Sequence, residues 1–288
     1  MDTSRLSMLR SALFGVITVA AFPLPVHAQQ QPDPSTWSRE EKAAFLLAAK
    51  IVQKKGAPGG ITGSQRATLQ NERGAHDAHI QVIDESKARF ESVLGTELNF
   101  RDTYKFNIAA YILDDLLGLH MIPVTVERKS GTQRASFTWW VDDILMDEAA
   151  RKEKRAEPPD PDRWNRQMHI VRVFDQWIAN TDRNLHNLLI TKDWDIWMID
   201  HTRAFRLHHD VREAKNLEKC DRLLLQSLGA LNKQVLKEKL GNYLTGMEID
   251  GLLARRDKIA ELFEDKAAKL GEDAVLYDYL SQRRQASP

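Results

Sequence analysis

Asn180 to Phe205 reads NTDRNLHNLLITKDWDIWMIDHTRAF, and this stretch decides how the rest of the chain is understood. Asp182 stands five residues before Asn187, and Asn187 thirteen before Asp200. Between the last two lie short apolar runs, Asn187 to Thr191 and Ile196 to Ile199, joined across KDWD. Such runs around a polar turn predict a strand-turn-strand unit. Asn187 and Asp200 then flank its open end, with a carboxylate just upstream.

Working outward, Trp164, Met168, Val171, Phe174 and Ile178 recur at helical spacing and predict a long helix leading into the hairpin. From Asn216 to Leu280 the pattern predicts a succession of amphipathic helices broken near Gly229, Gly241, Thr245 and Gly271. The other half differs. A helix is expected from Ser38 to Lys55, with Phe45, Leu46, Ala49 and Val52 on one face, ended by the glycine-rich GAPGG. Ile61 to Phe90 reads as short strands around a turn at NERG, continuing through KARF. YKFNIAAYILDDLLGL is a helix stopped by Gly118. Val124 to Arg128 and Ala135 to Val141 are two strands across a Ser-Gly turn. Strands with one helix, then a mostly helical half, make an α+β fold with two lobes. The expected divisions are 1–28 signal peptide, 29–56 leader and helix, 57–144 β-rich N-lobe, 145–162 charged connector or exposed loop, and 163–288 helical C-lobe carrying the hairpin.

Composition narrows the function. The chain of 288 residues has 41 Lys and Arg against 41 Asp and Glu, which argues against an electrostatic nucleic-acid binder. With 42% hydrophobic and 28% charged residues it has the make-up of an ordinary globular protein. Arg5 and Arg10 precede the apolar run SALFGVITVAAFPLP, which ends in Val26-His27-Ala28. That pattern predicts a secretory signal peptide cleaved after Ala28, hence export to a periplasm or beyond. No later segment is apolar enough to span a membrane, and the pattern fixes no oligomeric state. Cys220 is the only cysteine, so there is no internal disulfide, and a structural thiol is expected.

The hairpin carries the chemistry. Phosphoryl transfer needs one carboxylate to orient or deprotonate the incoming hydroxyl, with an amide oxygen and a second carboxylate to hold magnesium on the nucleotide phosphates. Hard oxygen ligands suit that ion. The kinase catalytic loop H-R-D-x-x-x-x-N has the same five-residue offset, followed by a hairpin and a metal-binding Asp. The sequence resembles the atypical, protein-kinase-like superfamily: the phosphatidylinositol kinases with D-R-x-x-x-N and I-D-F-G, the HipA-type bacterial kinases, and the Golgi casein kinase type of secretory kinases. Asp182-Arg183 with Asn187 matches the first motif, and Ile199-Asp200-His201 takes the place of the second.

The resemblance covers about residues 57 to 280 and implies a two-lobed protein-kinase-like fold. It also implies ATP as cofactor, with Mg2+ or Mn2+ held by Asn187 and Asp200, and Asp182 as the catalytic residue. It further implies a strand lysine that grips the phosphates and a helical glutamate paired with it. Here the chain departs from the pattern. HDAHIQVID carries Gln81 where A-x-F-K would place lysine, Lys87 lies six residues later, and Asn107 stands at the glutamate position. Three arrangements follow: Lys87 reaches in from the strand end, a Gln81–Asn107 amide pair replaces the ion pair, or nucleotide is bound without efficient transfer. Arg203, just after Asp200, is a further candidate for a phosphate contact. Trp139 and Trp140 should point to opposite faces of their strand.

Competing chemistries fare worse. His76 and His79 lie on a strand with an odd offset, which sends them to opposite faces and breaks a zinc site. GGITGSQ lacks the ending of a phosphate-cradling Walker A loop, and no G-x-S-x-G is present. The sequence therefore implies an exported phosphotransferase moving the ATP γ-phosphoryl group to a hydroxyl of a protein, lipid or small molecule. The alternative is a pseudokinase-type nucleotide-binding or scaffold module.

Overall fold

The computed structural model describes residues 33–56, 64–92, 95–180 and 183–286. The expected signal peptide lies outside the described residues. The first helix, α1 (Arg39–Ala48), starts at a capping box: Ser38 accepts from the Glu41 backbone N–H, and the Glu41 carboxylate accepts from that of Ser38. It ends earlier than its apolar spacing suggested. Ala49 is extended, and Lys50–Gly56 forms strand β1, paired antiparallel with β2 (Gln65–Asn71). The β-branched pair Ile51-Val52 suits a strand, and Val52, placed on the helical stripe by spacing, is 55% exposed.

Strand β3 (Gly74–Gln81) follows β2 across a two-residue turn, and a second hairpin, β4 (Asp84–Ser92) with β5 (Gly95–Thr103), forms a separate two-stranded sheet. The sequence pattern reached β4 and missed β5, whose GTELNFRDT has little apolar alternation. Helix α2 (Tyr104–Leu117) is capped by Thr103 and stopped by Gly118 at φ 63°, a left-handed turn in which a side chain would be strained. Strands β6 (Thr125–Ser130) and β7 (Gln133–Trp139) complete a five-stranded antiparallel sheet in the order β1-β2-β3-β7-β6.

The expected connector, 145–162, has structure of its own. Strand β8 (Ile144–Asp147) joins the hairpin of β9 (Leu188–Thr191) and β10 (Ile196–Met198), and helix α3 (Glu148–Lys154) holds the charged run. Asp147 caps that helix, and buried Glu148 binds Arg151 at 2.6 Å. Helix α4 (Pro161–Trp177) then starts at Asp160 and leads to the hairpin. The remainder is helical: α5 (Arg222–Ala230), α6 (Lys233–Leu240), α7 (Gly246–Leu270), α8 (Glu272–Val275) and α9 (Leu280–Ala286). A short parallel pair, Cys220–Asp221 with Leu276–Tyr277, ties the start of α5 to the end of the chain. Cys220 is fully buried there, and burial pushes its thiol up, which makes it an unreactive structural cysteine.

Two apolar cores result. One lies between α1 and the five-stranded sheet, built on Phe45, Leu46, Leu69, Ile80, Phe137 and Trp139. The larger gathers α2, α4, the β9–β10 hairpin and the later helices around Phe106, Leu113, Phe174, Trp177, Phe205 and Phe263. Because Ala78 and Ile80 face the first core, alternation turns His79 and Gln81 to the opposite face of β3. His76 shares the core-side parity and stacks on Trp139 at 3.7 Å, whereas Trp140 packs under Arg66 on the outside.

Candidate functional site

The β9–β10 ladder continues one pair beyond the strands, since the Ile199 N–H donates to the Asn187 carbonyl at 3.0 Å. This sets Asn187 and Asp200 beside one another at the open end of the hairpin. Asp200 adopts φ 54°, a left-handed conformation costly for a residue with a side chain, and such strain concentrates at functional positions. Its Oδ1 accepts from the Thr202 hydroxyl at 3.2 Å, and the residue remains exposed.

Arg183 holds this arrangement in place. Its Nε and Nη2 grip the Asp175 carboxylate at 2.9 and 3.0 Å, a bidentate pair almost wholly buried. Its Nη1 donates to the Asn187 carbonyl at 3.0 Å and to the Ile199 carbonyl at 2.7 Å, and Nη2 also donates to His201 Nε2 at 2.8 Å. One guanidinium thus joins α4, the hairpin's two strands and the segment after Asp200. His201 is 1% exposed, and its burial beside Arg183 holds the imidazole well below its usual pKa, so Nε2 is an acceptor.

Asn107, on α2, accepts the His201 backbone N–H at 2.7 Å through Oδ1. This is the physical use of an amide where the family pattern expects glutamate: it satisfies a buried donor next to Asp200 without burying a charge. The same segment is held again when Thr103 N–H donates to the Thr202 carbonyl at 3.0 Å and Arg203 Nε to Asp102 at 2.8 Å.

Gln81 is 3% exposed at the end of β3, in register with Ser136 of β7. His79 lies on the same face, hydrogen-bonded to Ser64, and close enough to Asp200 for that carboxylate to oppose the effect of burial, which lowers the His79 pKa.

Lys87 sits elsewhere. It lies on the β4–β5 hairpin with its ammonium 2.9 Å from Glu85 and over the rings of Phe90 and Phe100. Arg203 is on that side too, against Asp102 and near Phe100. Asp182 lies outside the described residues. The sequence reading missed Asp175, His201 and His79 as parts of the site. A carboxylate in the apolar stripe of α4 was a signal for the first, and strand alternation from Gln81 a signal for the last. Among the described residues no group of three His, Cys, Asp or Glu is placed to hold a metal ion.

The sequence matches no protein-family model and, at significance, no curated protein. Solved structures do match. The Golgi casein kinase with Mn and ADP bound aligns over 84% of this chain and 80% of its own, with TM-score 0.59 and 14% identity. Another structure of the Golgi casein kinase aligns over 83% and 79%, with TM-score 0.58 and 13% identity. The Helicobacter pylori proinflammatory kinase CtkA aligns over 78% of this chain and 98% of its own, at 11% identity and TM-score 0.49. At 13 to 14% identity the likeness to the Golgi casein kinase is one of fold alone: an antiparallel-sheet N-terminal region followed by a helical C-terminal region.

Proposed function

We propose that this chain is an exported ATP-dependent phosphotransferase that moves the γ-phosphoryl group to a hydroxyl acceptor of a protein, lipid or small molecule. The observation that carries the reading is that the ladder pair between the Ile199 N–H and the Asn187 carbonyl brings Asn187 and Asp200 to the open end of the hairpin. An amide oxygen and an exposed carboxylate are hard donors that fit Mg2+ or Mn2+. Two protein ligands suffice for an ion that takes its remaining oxygens from phosphates and water. Such an ion, when bound, neutralises charge on the phosphates.

The chain's own residues supply position. Arg183 and Asn107 fix the backbone on both sides of Asp200, Gln81 is the side chain of the sheet that contacts phosphate, and Asp182 orients the acceptor hydroxyl. Lys87 has no part in this, since Glu85 and the aromatic pair hold it on another hairpin. Export rests on the leader's sequence pattern. Among the described residues no helix is long and apolar enough to cross a membrane.

One observation favours a second reading, a nucleotide-binding module without efficient transfer: at the α2 position where the resemblance implies a glutamate, Asn107 carries no charge and gives its acceptor to the His201 backbone N–H. Both readings are tested by thermal unfolding with and without Mg-ATP, beside turnover by the Asp182→Ala variant. Ligand at a hundred times its dissociation constant adds about 2.7 kcal/mol. A shift lost in Asp200→Ala, with turnover abolished in Asp182→Ala, supports transfer. A shift without any turnover supports the binding module, and no shift at millimolar nucleotide removes both.

A further inference from the structure

A cavity of about 1030 Å3 opens between the β4–β5 hairpin, the first turn of α2, the segment after Asp200 and the start of α7. Gln81, Asn107, Asn187 and Asp200 are not among its lining residues, whereas Lys87 and Arg203 are. Its volume is that of a small-molecule site.

The charge on its wall is one-sided. Lys87, Arg101, Arg203, Arg206 and Arg212 line it, against the carboxylates of Glu97 and Glu248. Ion pairs hold four of these cations in place: Lys87 to Glu85, Arg101 to Glu248 at 2.5 Å, Arg203 to Asp102, and Arg206 to Glu97 at 2.8 Å. Arg101 gives only Nη1 to its carboxylate. Arg212 is exposed and makes no hydrogen bond or ion pair with any other described residue. His208 donates from Nδ1 to the Asp210 carbonyl at 2.9 Å, which leaves Nε2 as a buried acceptor with no partner among the described residues.

The rest of the lining mixes polar side chains, Ser86, Thr96, Asn99 and Thr245, with an apolar cluster. Phe90 and Phe100 stack at 4.1 Å on the hairpin side, and Phe106 and Phe205 lie across from them. Leu98 and Met247, from opposite walls, are 68% and 65% exposed, two of the most exposed large apolar side chains among the described residues. A wall of cations, in which Arg212 is unpaired among the described residues, beside an exposed apolar lip matches a ligand with a negative head and an apolar body.

We propose that this cavity binds a small anionic amphiphile, a phosphate or carboxylate group on an apolar tail, independently of the transfer reaction. The probe is dodecyl phosphate below its micelle concentration, titrated calorimetrically into the full chain. Inorganic phosphate and octyl glucoside stand for the head and the tail alone. One site is expected, at least tenfold tighter for dodecyl phosphate than for either part. Arg212→Glu and Met247→Asp should each weaken it about tenfold or more, with thermal midpoint and Mg-ATP response unchanged. Both side chains are exposed, so both variants should fold. Co-sedimentation with phosphatidate vesicles identifies the source: pelleting that depends on Arg212 points to a membrane lipid, and soluble binding without pelleting to a free ligand. Equal binding of octyl glucoside, undiminished binding by Arg212→Glu, or no binding of dodecyl phosphate overturns the proposal.

Discussion

Replacing Arg183 by methionine tests the idea that one guanidinium organises the candidate site. The change keeps most of the side chain's length and removes every donor. It leaves the Asp175 carboxylate, 7% exposed, without its bidentate partner, takes the Arg183 donor from the Ile199 carbonyl, and leaves the Asn187 carbonyl with the Ile199 N–H alone. Losing one side of a buried ion pair costs about 3 to 5 kcal/mol, because the remaining charge is uncompensated. At about 2 to 4 °C per kcal/mol for a chain somewhat smaller than this one, the midpoint should fall by roughly 10 °C. Urea unfolding followed by circular dichroism gives the free energy directly. Asp175→Leu combined with Arg183→Met removes the orphaned charge and should recover more than half of the loss, as a coupled pair does. Arg183→Lys should lie between, since one ammonium can face Asp175 but cannot also reach both carbonyls. A single variant within about 0.5 kcal/mol of the parent, or a double variant worse than the sum of the singles, would refute the reasoning.

Other expectations are briefer. Asn107→Leu leaves the His201 N–H buried without an acceptor and should cost about 1 to 3 kcal/mol in urea unfolding, while also weakening the response to Mg-ATP. Lys87→Ala should leave nucleotide binding unchanged, because its ammonium is held at Glu85; a tenfold loss in the same titration would return it to the phosphates. Phe205→Ala, in the larger core and 5.1 Å from Phe106, should cost about 3 to 5 kcal/mol. Acidification should destabilise the fold. Buried His201 has its pKa well below the unfolded value of 6.5, so below that pH the unfolded chain binds more protons. The contribution is complete above pH 6.5 and declines by about 1.4 kcal/mol per unit below it until His201 protonates. Midpoints at pH 7.5 and 5.5 should therefore diverge less in His201→Gln than in the parent.

Asn187 and Asp200 were legible in the sequence because their relation is local: two short strands and a turn bring them together whatever the rest of the chain does. The α2 helix and the β6–β7 pair were legible for the same reason, each being set by periodicity and a glycine turn. Local pattern misled where partners were distant. The helix expected to run on to Lys55 through Val52 gives way to β1 at Lys50, because β2 offers an antiparallel ladder that a helix would forgo. The 145–162 segment looked like a loop from its charges, but β8 has β9 to pair with and Asp147 caps α3.

At the site the division is the same. Sequence alone determined that an amide, a carboxylate and a hairpin stand together, and that β3 and α2 carry amides, Gln81 and Asn107. Tertiary structure decided that Asn107 serves the His201 backbone, that Arg183 bridges Asp175 to both strands, and that Lys87 is carried off on a second hairpin. The Asp175–Arg183 and Asn107–His201 contacts join residues 8 and 94 positions apart, which tertiary packing brings within hydrogen-bond reach.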